Sequence, residues 1–221
     1  MANYFNFYPS TFYSVDANNK VALDVVTNII SRFAFEGSLK ENSDVFYPYE
    51  IKDSDTPESI AYKLYGDAER HWIVLLFNNI IDPQYDWPLN YNNFISYVNE
   101  KYSANGAANT TVQTGLQWAQ SENNVHSYYQ VNTRSSVVIT ADTKTIKEKI
   151  QITANTYANV IVGSVTYTLD NGKTITETTS KEKLTYYDYE VEVNENKRKI
   201  KLLKPEFAFD VFEEFKQIVR E

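Results

Sequence analysis

The stretch Tyr49-Glu50-Ile51-Lys52-Asp53-Ser54-Asp55-Thr56-Pro57-Glu58-Ser59-Ile60-Ala61-Tyr62-Lys63-Leu64-Tyr65-Gly66-Asp67 decides how the rest of the chain is read. Residues 47–52 have the aromatic and β-branched content of a strand, and Asp53-Ser54-Asp55 that of a turn. Thr56 can cap a helix with Pro57 at its first position, where a missing N–H costs nothing. Ile60, Ala61, Leu64 and Tyr65 then form one apolar stripe, and Gly66 stands where a left-handed residue ends a helix. Asp67 caps a second helix, whose Trp72, Ile73, Leu75, Leu76 and Phe77 make it apolar nearly all round, as in a segment buried on most sides.

Outward from this strand, helix and helix, two prolines in 80–89 (Ile80-Ile81-Asp82-Pro83 and Tyr85-Asp86-Trp87-Pro88-Leu89) predict an extended, turning path. Phe94, Tyr97, Val98 and Tyr102 space a third helix over 92–102. Upstream, the aromatic residues Tyr4, Phe5, Phe7 and Tyr8 form a terminal arm ended by Pro9, and Val25, Val26, Ile29, Ile30 and Phe33 predict a helix over 24–33 capped by Asp24. Downstream, 103–109 has the composition of a flexible connector. Strands are expected over 125–131, 136–140, 145–153, 160–169 and 173–179, with Asn171-Gly172 as a turn. Tyr187, Tyr189, Val191 and Val193 alternate as in a strand, yet the charge-rich 192–201 also suits a helix, and periodicity leaves both open. Residues 200–205 are extended, and Phe207, Val211, Phe212, Phe215, Ile218 and Val219 mark an amphipathic helix over 206–220. The class is α+β: an N-terminal arm and helix (1–44), a strand-helix-helix domain (45–102), a β-rich, Thr-rich region (103–180) and a C-terminal segment and helix (181–221). No fixed-period repeat is visible.

The composition removes most chemistries. Among 221 residues the net charge is −8, which repels nucleic acid and anionic lipid. No Cys is present, so disulfides, thiolate nucleophiles and Cys-ligated metals are excluded. The two histidines, His71 and His126, lie in no metal-ligand spacing, and no phosphate-cradling glycine loop or nucleophile elbow occurs. Neither a metal, a cofactor, a catalytic residue nor a small-molecule substrate is expected. Asp53, Asp55 and Glu58 invite comparison with a glycosidase pair, but their places around a helix start argue for capping. Residues 1–10 carry no signal-peptide pattern, and the apolar run 73–77 is far short of the roughly 20 residues that span a bilayer. Lys197, Arg198, Lys199, Lys201 and Lys204 form a basic segment, read as solvated or facing acidic groups. The 18 Tyr and 12 Phe exceed what a minimal core needs and suit contact surface.

The run from Tyr49 to Ala61 resembles the opening of a LysM module, with Ser54 in place of the usual Gly and with 82–88 where a closing strand is usual. The longer text is similar to a narrower family, the small LysM-like baseplate wedge proteins of T-even-type contractile-tailed phages. Tyr49, Lys52, Asp55, Thr56, Ile60, Ala61, Leu64, Tyr65, Gly66, Trp72, Asn78, Asp82 and Pro83 carry that likeness. The aromatic arm and Asn194-Glu195-x-Lys197-Arg198-x-Ile200-Lys201 extend it, and this last segment favours a helix over 186–198. The resemblance implies a non-enzymatic virion protein of the tail baseplate, assembled in the host cytoplasm. It would bind the core wedge protein, the sheath-initiating protein and the neighbouring wedge, and so help close the wedges into a ring. Tyr4, Phe5, Phe7, Tyr85, Trp87, Phe212 and Phe215 are the expected partner contacts. The alternative is a LysM-type adaptor that binds peptidoglycan or another glycan.

Overall fold

Thr56 begins a helix by a reciprocal capping box: its hydroxyl accepts from the Ser59 N–H at 3.2 Å, and the Ser59 hydroxyl accepts from the Thr56 N–H at 2.9 Å. In a computed structural model, residues 7–14, 23–28, 34–35, 37–108, 113–138 and 141–219 are described. Along them run β1 (Ser10–Ser14), β2 (Leu23–Thr27), α1 (Gly37–Glu41), β3 (Phe46–Glu50), α2 (Pro57–Tyr65), α3 (His71–Phe77), α4 (Pro83–Asp86), α5 (Tyr91–Lys101), α6 (Ser103–Ala107) and α7 (Gly115–Gln120). Then follow β4 (Val125–Val138), β5 (Ala141–Ile152), α8 (Ala154–Asn159), β6 (Gly163–Thr168), β7 (Thr174–Thr185), α9 (Tyr186–Lys197), β8 (Lys199–Leu203) and α10 (Pro205–Ile218). The chain divides into two units, Met1–Asn90 with Asn194–Glu221, and Tyr91–Val193.

In the first unit, β3 pairs antiparallel with β8, Phe46 opposite Leu203 and Glu50 opposite Lys199. The strand that completes the strand-helix-helix reading therefore arrives from far downstream, not from 82–88. The Lys204 N–H donates to the Val45 carbonyl and the Ile51 N–H to the Arg198 carbonyl, so residues 45, 47, 49 and 51 face β8 and residues 46, 48 and 50 face away. Pro48, which has no N–H, sits at an outward position and leaves the ladder intact. One face of this ribbon sends Ile200 and Leu202 into a cluster with Ile51, Ile60, Ala61 and Val74. The other sends Leu203 into a larger cluster with Val45, Trp72, Ile73, Phe77, Ala208, Phe215 and Val219. Helix α3 feeds both clusters, which is why it is apolar all round.

Both helix stops are left-handed. Gly66 has φ 73 and donates its N–H to the Tyr62 carbonyl at 3.0 Å. Asn79, with φ 56, closes α3 as its N–H meets the Leu76 carbonyl and the Ile80 N–H the Leu75 carbonyl, the paired bonds of a Schellman motif.

Three expectations for this unit are corrected. Residues 23–27 form strand β2, not the start of a helix: Val25, Val26 and Thr27 are consecutive β-branched residues, and Phe12 pairs across to Val25 in the β1–β2 ribbon. The rest of that expected helix, 29–33, lies outside the described residues. Residues 83–86 are not extended. Pro83 is the first residue of a one-turn helix capped by Asp82, whose carboxylate accepts from the Gln84 N–H at 3.0 Å, and Pro88 prevents its continuation. Asp53 and Asp55 do not cap α2, because Thr56 does; Glu58 does lie in its first turn.

The second unit holds a four-stranded antiparallel sheet ordered β5-β4-β7-β6. A single strand β4 runs where two were expected, and α8 precedes a shortened β6. Gly172, with φ 78, makes the expected turn between β6 and β7. The expected connector is instead helical. At Gly115 a Cβ would stand 2.1 Å from the Asn99 carbonyl oxygen, and at Gly106 2.5 Å from that of Gln113. These glycines let backbones touch and thereby order α5, α6 and α7. Helix α9 settles the region left open at 186–198: Asp188 donates its N–H to the Thr185 hydroxyl at 3.1 Å, and that hydroxyl donates to the Asp188 carboxylate at 2.8 Å.

Candidate partner surface and its polar frame

The motif residues of the first unit are mostly engaged with one another. Asp55, 4% exposed, accepts from the Tyr49 hydroxyl at 2.6 Å, the Lys52 N–H at 3.0 Å and the Lys63 ammonium at 2.8 Å. Burial alone would raise its carboxyl pKa, but the bonds from Lys63, Tyr49 and Lys52 outweigh it and bring the group down to about 2. Burial and the same carboxylate push the Tyr49 phenol up to about 12. The Trp87 indole N–H donates to the Asp55 carbonyl at 3.2 Å. Asp55 is thus a brace between β3, its turn and the 87–89 segment.

Asn78 closes the outer edge of β8. Its side-chain amide donates to the Lys201 carbonyl at 2.7 Å and accepts the Lys201 N–H at 2.8 Å, as a neighbouring strand would. The Tyr65 hydroxyl donates to the Leu203 carbonyl, the next outward acceptor, at 2.9 Å. Further along, Asn194 holds the Leu89 backbone by two bonds, 2.8 and 3.0 Å. Arg198 donates to the Ile51 and Leu89 carbonyls and pairs with Asp53 at 2.6 Å and Glu195 at 2.9 Å. Arg198 faces acidic groups, as its basic segment suggests, whereas Lys63 and Asn194 in these roles were not legible in the sequence, because a polar contact leaves no apolar period.

The expected contact residues that are described separate into three groups. Phe215, 2% exposed, belongs to the core, packed on Trp72 with ring centroids 4.9 Å apart. Its expected role as a partner contact is corrected by that burial: it supports the fold. Half-buried Phe212 and Phe7 meet edge to face at 5.4 Å, so the arm's Phe7 is spent on α10. Trp87 is half-buried on Asp55. Tyr85, by contrast, is 70% exposed, and Ile81 nearby in sequence is 76% exposed. On α10, Phe209 and Ile218 are exposed as well. Phe209 escapes the helical stripe because it lies about 100° around the helix from core-facing Ala208, on the flank of the buried face. Tyr4 and Phe5 lie outside the described residues.

Among the described residues no cluster of three or more His, Asp or Glu is placed to hold a metal, and no helix is long and apolar enough to cross a membrane. His71 turns its Nδ1 to the Ala68 carbonyl, and His126 stacks on Tyr189 at 3.8 Å. What is left on this unit is a braced frame with apolar side chains standing out from it.

A family model described as Base plate wedge protein 53 matches residues 3–216. The chain belongs to this phage baseplate wedge family. It is similar to Baseplate wedge protein gp53 of Enterobacteria phage T4, with 41% identity over 39 residues, 18% of this chain. The matched stretch spans 20% of that relative's length. In this wedge-family chain the motif residues brace one another, while Ile81, Tyr85 and Phe209 are among the large apolar side chains left to solvent, with Phe12, Tyr62 and Ile218.

Proposed function

We propose that this chain is a structural component of the tail baseplate in the virion, which binds other wedge proteins and helps join adjacent wedges into a ring. The observation that carries this reading is the exposure of Ile81 and Tyr85 on a segment that Asp82, Trp87 and Leu89 hold in place by hydrogen bonds. Exposed aromatic and aliphatic side chains on a rigid support are what an interface anchor requires, since little entropy is lost on binding. The 45–102 region, completed by β8, is read as a LysM-like unit used as scaffold. Co-expression of the full chain with the other tail proteins of the same genome tests the reading. A wedge protein, such as the core wedge or sheath-initiating component, should co-purify with the wild type, and Tyr85→Asp should weaken that by tenfold or more, about 1.4 kcal/mol.

A glycan-binding LysM role is the second reading, favoured by the strand-helix-helix-strand arrangement. Sedimentation of the full chain with purified peptidoglycan separates the two. Binding that Tyr85→Asp leaves intact, without capture of any tail protein, would favour the adaptor. A hydrolase remains outside both readings, and carboxylate-dependent lysis of peptidoglycan would contradict them.

A further inference from the structure

The Asn194-Glu195-x-Lys197-Arg198 segment carries part of the family likeness, and its geometry is specific. The chain leaves the first unit after Asn90 and re-enters at Asn194. On the two sides of that interruption, the Leu89 N–H donates to Asn194 Oδ1 at 2.8 Å, and Asn194 Nδ2 donates to the Leu89 carbonyl at 3.0 Å. Arg198 adds Nη2 to the same carbonyl at 3.2 Å and Nη1 to the Ile51 carbonyl at 3.1 Å. Lys197 Nζ reaches the Tyr85 carbonyl at 2.5 Å. Asn194 is buried and Arg198 nearly so, and among the described residues no buried side-chain polar atom lacks a partner.

We infer that residues 194–198 are a clamp that closes the first unit across the point where Tyr91–Val193 is inserted, so that this unit keeps its fold and its exposed surface when the inserted unit is unfolded. With the two ends pinned, the inserted residues close on the first unit as a loop does. The entropy of closing a loop grows only with the logarithm of its length, so a long insertion costs little more than a short one. The core of the first unit, including Phe77, Leu203 and Phe215, is drawn wholly from residues outside the insertion. The inference is independent of what the exposed surface binds. It implies that the inserted sheet can change without disturbing the first unit's contacts.

Amide hydrogen exchange on the full chain tests this. Val131, 1% exposed in β4, changed to Asp should unfold the inserted unit. Amides of β4 and β7 should then lose protection by ~100-fold or more, while those of β3, β8 and α3 change by less than about threefold. Loss of protection in β3 and β8 in step with β4 would overturn the inference. Should Val131→Asp prove insoluble, wild-type exchange in graded urea decides the matter: two opening reactions with different urea dependence support the clamp, and one shared reaction contradicts it. The clamp is tested directly by adding Asn194→Ala and Arg198→Met to Val131→Asp, which should expose β3 and β8 to exchange. Unchanged protection there would remove 194–198 from the role.

Discussion

Asp55 is the residue on which the motif turns. Its pKa is depressed in the fold, to about 2 against about 3.9 in an unfolded chain. The group thus contributes stability above pH 4 that is lost as pH falls from about 4 toward 2. Lys63 keeps its ammonium largely in water, which screens its share, so the contribution is on the order of 1–2 kcal/mol. Urea denaturation at pH 6 and pH 3 should show this loss in the wild type and a smaller one in Asp55→Asn. Asp55→Ala leaves Tyr49 and the Lys52 N–H without their acceptor and should cost about 2–4 kcal/mol at pH 7. Gly66 makes a second test. Its φ of 73 disfavours a β-branched residue, so Gly66→Val should lower stability by roughly 1–2 kcal/mol, and Gly66→Asn by less. An unchanged melting midpoint in Gly66→Val would contradict the left-handed stop.

Between elements, the pairing of β3 with β8 explains which parts of the fold were legible. The Thr56-Pro57 start and the Gly66 stop of α2 are local signals, and both stand in the structure. The partner of β3 is not local: Lys199-Ile200-Lys201-Leu202-Leu203 is recognisable as extended, but nothing in it names the strand it joins. Helix α9 was ambiguous because its inward side includes Glu190 and Asn194, both buried. Glu190 accepts from Lys101 and from the Tyr102 hydroxyl, each at 2.7 Å, so the apolar residues of α9 carry no helical period. At 23–27 the spacing of Val25 and Val26 with Ile29, Ile30 and Phe33 suits a helix, yet the consecutive β-branched Val25, Val26 and Thr27 belong to a strand. The edge made by Asn78 is testable: Asn78→Ala frees the Lys201 N–H and carbonyl and should destabilise the protein by about 1–2 kcal/mol. Hydrogen exchange at Lys201 should accelerate beyond that at Leu202, whose N–H faces β3.

At the scale of the whole molecule, family membership rests on residues 3–216, while the candidate surface rests on a few side chains. The sequence points to Tyr85, which the structure leaves exposed, and passes over the exposed Phe209, since an apolar stripe identifies what a helix buries, not what it leaves out. It also placed Phe215 on the surface, because a stripe does not say which body covers it. Phe215→Asp should unfold the first unit, at a cost above about 4 kcal/mol, and so cannot report on partners. Ile81→Asp with Tyr85→Asp can, because substitutions at exposed sites shift stability by only about 0.5 kcal/mol each. The most direct measurement is the incorporation of this double variant and of the wild-type chain into tail baseplates purified after assembly in the host. The wedge assignment predicts wild-type chain in every assembled baseplate, with the double variant absent although its melting temperature in isolation is unchanged. Baseplates that contain both chains equally would contradict the proposed contact surface, and baseplates complete without the wild-type chain would contradict the assignment itself.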